Sequence, residues 1–132
     1  MPFRTIASRA LAETLAVLGH PCRLRIIEEI GGGEHDVATL AQLLGISHSG
    51  TSQHLSRLRA RRLVTKQRQG RQVFYQLSDP DLSKWLLAGL AVLEQNADNS
   101  REVKTSLRRA RAAWAEPSAE RSPPRPSSHH AT

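Results

Sequence analysis

Leu11, Leu15 and Leu18 recur at helical spacing, which predicts a first helix ending near Gly19. Pro21 suits a first helical position, and Leu24, Ile27 and Ile30 give a second helix its apolar stripe, up to a flexible corner at Gly31-Gly32-Gly33. A short third helix follows from an Asp36 cap, buries Val37, Leu40, Ala41 and Leu44, and ends at Gly45. After a tight turn through Ile46, Ser47 caps a fourth helix. Its Leu55 and Leu58 face inward while His48, Ser49, Ser52, Gln53 and Arg57 stay outside. Leu63 to Arg68 and Gln72 to Leu77 read as two strands around a polar turn at Gln69-Gly70-Arg71. Asp79 as cap and Pro80 at the first position open a fifth helix with Leu82, Trp85, Leu86, Gly89, Leu90 and Leu93 on one broad apolar face.

The pattern beyond that face is different. Asn99 followed by Glu102 resembles a capping box, and Val103, Leu107, Ala110 and Trp114 share one side of a sixth helix whose other sides carry Lys104, Arg108, Arg109 and Arg111. From Glu116 on, prolines and serines leave too little apolar surface to offset ordering entropy, so the tail is expected to be disordered. The predicted fold is mainly α with a small β-hairpin, a winged helix-turn-helix. Its domains are residues 1–98 for binding and dimerisation, 99–116 as a basic helical extension, and 117–132 as the tail. Nothing in so small a domain easily covers the apolar face of the fifth helix, which calls for a partner chain.

Charge adds the partner. The 132 residues carry a formal net charge of +7, and no acidic residue lies between Asp36 and Asp79. Within that window sit Arg57, Arg59, Arg61, Arg62, Lys66, Arg68 and Arg71. One-sided charge of this kind suits a polyanion, because each cation on a phosphate releases condensed counterions. Double-stranded DNA is the expected partner. No long apolar run supports a membrane span or a signal peptide, so no membrane partner and a cytoplasmic location are expected. The single cysteine, Cys22, makes no intrachain disulfide, which fits a reducing compartment.

A helix fills the major groove, and the exposed residues near its N-terminal end reach base edges. His48, Ser49, Ser52 and Gln53 hold that place and are the expected base readers. Arg57, Arg59, Arg61, Lys66, Arg68 and Arg71 are assigned to phosphates, which position a protein without reading sequence. His54 is either a hydrogen-bonded structural histidine or a further contact. No Gly-rich phosphate loop, metal-ligand cluster or nucleophile-base pair stands out, so neither an enzyme nor a cofactor is expected.

The run Leu18-Gly-His-Pro-Cys-Arg-Leu-Arg-Ile-Ile, the segment Val37 to Leu44, Ser47 to Leu58 with Ser52-Gln53-His54-Leu55, and Gly70 to Leu77 together resemble the ArsR-type winged-helix repressors. The resemblance spans about Leu15 to Leu93. It implies a homodimer held by its N- and C-terminal helices, here through Leu11, Leu15, Leu82, Trp85, Leu86, Leu90 and Leu93, that represses transcription by occupying an operator. Many metal-sensing members carry two cysteines in the third helix. This chain has Glu34-His35-Asp36-Val37-Ala38-Thr39-Leu40 there. Others bind zinc between the last helices through Asp-x-His and His-x-x-Glu, where this chain offers Asp79, Asp81, Val92 and Gln95. No metal is expected at either place. Cys22, near a helix N-terminus with Arg23 and Arg25 beside it, is a redox candidate or a small packing residue. The His129-His130 pair is a weak metal candidate in the tail. An effector, small-molecule or redox, is left open.

The expected function is therefore a sequence-specific DNA-binding transcriptional regulator, a dimeric repressor on a palindromic operator. Two alternatives stand beside it: a non-inducible or architectural DNA binder, and a winged-helix module for RNA or protein.

Overall fold

The computed structural model describes residues 1–96 and 100–115. The elements run α1 (Pro2–Leu18), α2 (Pro21–Gly31), α3 (Val37–Leu44), α4 (His48–Ala60), β1 (Val64–Gln69), β2 (Gln72–Leu77), α5 (Asp81–Gln95) and α6 (Arg101–Trp114). The expected tail at 117–132, its His129-His130 pair and the Asn99 cap lie outside the described residues. No helix among the described residues is long and apolar enough to cross a membrane.

Side chains set most of the helix starts. The His20 Nδ1 accepts the Cys22 N–H at 3.1 Å and so caps α2, with Pro21 at its first position. Asp36 accepts the Thr39 N–H at 2.8 Å, and α3 ends at Gly45 as its sequence implies. At α5 the expected cap is displaced: the helix begins at Asp81 with Pro80 as its N-cap, and Asp79, one residue earlier, accepts the Asp81 N–H at 2.9 Å in a local turn. The cap of α6 is Ser100, which accepts the Val103 N–H at 3.3 Å.

The core is built from Leu18, Ile26, Ile27, Ile30, Leu40, Leu55, Leu58 and Val64. It draws on α1, α2, α3, α4 and β1, which locks the helix-turn-helix pair to the scaffold. Ile26, absent from the stripe read in the sequence, is fully buried, whereas Leu24 is only partly so. Leu82 and Leu86 on α5 pack against this core from outside.

The two strands pair antiparallel from Val64 opposite Leu77 to Gln69 opposite Gln72. The hairpin therefore turns on Gly70-Arg71 alone, one residue shorter than expected. Gly70 takes φ 64 at the first turn position, where two-residue hairpins favour glycine. β1 also starts one residue later than expected. The Leu63 N–H is held by the Leu58 carbonyl at the end of α4, while its own carbonyl accepts the Ser78 N–H. His35 and Tyr75 exchange both backbone hydrogen bonds, which moors the hairpin to the segment before α3. The triple glycine is an ordered corner: the Gly32 and Gly33 N–H groups bond back to α2 carbonyls, and Gly31 lies against Ser83 of α5.

Candidate nucleic-acid interface

The exposed face of α4 follows from its capping and its buried face. Ser47 accepts the Gly50 N–H on its hydroxyl at 3.0 Å, and the Ser47 carbonyl takes both the N–H and the hydroxyl of Thr51. Thr51, Leu55 and Leu58 are fully buried, so their spacing turns the opposite face of the helix to solvent. That face presents His48, Ser49, Gln53, Arg57 and Arg59 as exposed side chains, with Ser52 half-buried. α3 packs across α4 through the Gly45-Ile46 turn, whose Ile46 N–H bonds to the Ala41 carbonyl.

The wing extends the same basic surface. Lys66, Arg68 and Arg71 are exposed and carry no ion pair among the described residues, and the same holds for Arg57 and Arg59. Near the wing tip, Gln69 donates to the Glu34 carboxylate at 3.3 Å. Arg61 is placed differently from its fellows. Its guanidinium pairs with Glu13 of α1 at 3.2 Å and reaches the Thr14 hydroxyl at 3.5 Å, which leaves it turned toward α1.

His54 points back into the protein. Its Nδ1 accepts from the Arg23 Nε at 3.2 Å, its ring lies 4.5 Å from that of His20, and Arg23 also donates to the Val17 carbonyl. Burial, reinforced by His20, Arg23 and Arg57, lowers the His54 pKa below its ordinary value, so the ring is neutral at neutral pH. Cys22 is half-buried beside this pair. Ligand atoms of His20, Cys22 and His54 lie within 4.8 Å of one another. His54 is remote along the chain from the other two, which hides the cluster from the sequence. The His20-x-Cys22 spacing was the available signal, and only the packing of α2 on α4 completes it.

Of the residues assigned to a dimer seam, Leu11, Leu15, Trp85 and Leu93 are exposed, Leu90 is half-buried, and Leu82 and Leu86 already lean on the core. Phe3, Ile6 and Val92 extend the exposed apolar surface on the same two helices. Asp79 accepts the Asp81 N–H and Asp81 pairs with Lys84 at 3.4 Å.

A capped helix laid over a second helix and flanked by a basic hairpin defines a winged helix-turn-helix protein. Comparison with known proteins narrows the class. Residues 20–72 match the model of the MarR family. The nodulation protein NolR of Rhizobium meliloti is 32% identical over 96 residues, 73% of this chain and 78% of that protein. The transcriptional repressor SmtB homolog of Synechocystis is 38% identical over 72 residues, 54% of each chain. The crystal structure of NolR from Sinorhizobium fredii superposes with a TM-score of 0.64 at 33% identity, covering 70% of this chain and 92% of that one. The chain belongs to the ArsR/SmtB family of winged helix-turn-helix transcriptional regulators.

Proposed function

We propose that the protein is a cytoplasmic, homodimeric transcriptional repressor that occupies a palindromic operator in duplex DNA. The observation that carries this reading is the exposed face of α4, with His48, Ser49, Ser52 and Gln53 beside a wing whose Lys66, Arg68 and Arg71 are unpaired among the described residues. The SmtB homolog of Synechocystis, named a transcriptional repressor, supports the direction of regulation.

In this reading His48, Ser49, Ser52 and Gln53 face base edges in the major groove. Gln53 is the most discriminating, since an amide pairs bidentately with adenine. Arg57, Arg59, Lys66, Arg68 and Arg71 lie on phosphates. Arg61 braces α4 against α1 and meets phosphate only if it leaves Glu13. Residues 1–98 carry binding and dimerisation and 99–116 a basic extension. Two subunits place their α4 helices about one helical turn of DNA apart, or a multiple of it.

The test is selection of genomic fragments with purified protein at fixed salt, then titration of the best site against a random duplex of equal length. An operator is expected to bind ~10³-fold or more tightly than random DNA. Equal binding to every fragment, or to RNA, would reject the repressor reading. Gln53→Ala should cost about 1 to 3 kcal/mol on the operator and relax one base position, while Arg68→Ala should weaken all sequences and flatten the salt dependence.

A further inference from the structure

His20, Cys22 and His54 are explained individually by helix capping, packing and a hydrogen bond to Arg23. Together they are two imidazoles and one thiol whose ligand atoms all lie within 4.8 Å of one another. We propose that they form a three-ligand site for a thiophilic transition-metal cation, zinc(II) foremost, that joins the first turn of α2 to α4.

The donor set selects the ion. A thiolate with two imidazoles suits zinc and its neighbours, whereas magnesium and calcium require oxygen ligands, which this group lacks. Bonds of about 2.0–2.3 Å to a tetrahedral zinc place ligand atoms roughly 3.3–3.7 Å apart, so the three groups need to close by about 1 Å. Side-chain rotation supplies that, because His20 precedes α2, Cys22 sits in its first turn, and all three side chains are half-buried rather than wedged in the core. Their partial exposure also leaves a path for the ion and room for water as the fourth ligand.

Ligation exchanges bonds. The Nδ1 of His20 accepts the Cys22 N–H and that of His54 the Arg23 Nε–H, so a ring that ligates through Nδ1 exchanges that bond for the ion and a ring that ligates through Nε2 keeps it. The Cys22 thiol gives its proton to solvent as the sulfur–metal bond forms, so one thiol proton leaves for each zinc bound. Arg23 contacts His54 directly, and the negative thiolate offsets part of the repulsion between its guanidinium and the ion. This site differs from both arrangements that the family resemblance implied, one in α3 and one between paired last helices.

The experiment uses the full chain, stripped of metal under reducing conditions and titrated with cobalt(II) as a spectroscopic stand-in for zinc. Expected are visible bands of tetrahedral intensity and a near-ultraviolet thiolate-to-cobalt charge-transfer band, saturating at one ion per chain and bleached by zinc(II). Cys22→Ser should abolish the charge-transfer band. His20→Asn, which keeps a capping acceptor, and His54→Gln, which keeps an acceptor for Arg23, should each weaken cobalt binding ~10-fold or more. Replacing His129 and His130 with alanine should change nothing. Independently of any variant, stoichiometric zinc should slow alkylation of Cys22, the chain's one cysteine. Bands that survive Cys22→Ser, bands lost with the tail histidines, or alkylation indifferent to zinc would overturn the site. These readouts contain no DNA, so they succeed or fail separately from the repressor reading.

Discussion

Arg62 adopts φ 59, the sole positive φ outside glycine among the described residues, where the chain swings from α4 into β1. A side chain in that region costs about 1–2 kcal/mol, partly offset by the lower unfolded-state entropy it brings compared with glycine. Arg62→Gly should therefore raise stability by about 0.5–1 kcal/mol, read as a higher urea midpoint with an unchanged slope. Gly50 presents the converse case. A Cβ there would stand 2.9 Å from the Ser47 hydroxyl that caps α4. The helical gain of about 1 kcal/mol from Gly50→Ala is thus set against a disturbed cap, and the net change should stay within about 0.5 kcal/mol. Caps such as Asp36 and Ser47 were legible in the sequence because their signal is local, a short polar side chain just before an apolar repeat. The pairing of Arg61 with Glu13 was not, since a run of arginines carries no mark of which one a distant helix will claim. His54 was half legible: its position beside Leu55 suggested an inward ring, while its partners Arg23 and His20 came only with the fold.

Between elements, α2 meets α5 at Gly31 and Ser83. A Cβ on Gly31 would collide with the Ser83 hydroxyl as it stands, a side-chain atom free to turn, while the Ser83 Cβ and Leu77 would lie at ordinary contact distance. Gly31→Ala should turn the Ser83 hydroxyl to another rotamer, leave the two helices in place and cost no more than about 1 kcal/mol in chemical unfolding. A loss of about 3 kcal/mol or more would mean that the hydroxyl cannot turn and the helices part. Helix identities and order were readable from periodicity, and the hairpin from its alternation around Gly70. Strand limits were not, because they depend on where Leu63 and Ser78 spend their backbone groups. The α6 pattern was visible too, but its docking through Arg108 and Arg111 onto Glu94 of α5 is a tertiary choice.

At the level of the molecule, α1 buries only Leu18 of its 17 residues, and α5 buries none. The apolar surplus of α5 was legible in the sequence; α6 packs on part of α5, and the proposed second copy would cover what remains exposed at Trp85, Val92 and Leu93. Leu90→Glu should place a charge in that seam and shift the protein to monomer in sedimentation velocity at micromolar concentration. An unchanged dimer would move the seam elsewhere.

The exposed faces of α1 and α5 have a further consequence, for gene dosage. If two copies must meet before both α4 helices can engage one site, occupancy at scarce protein rises with the square of the number of chains. Halving the chains in a cell would then cut the bound fraction about fourfold, by mass action. Such a regulator responds to its own rate of synthesis, with cell growth and dilution acting as inputs alongside any bound ligand.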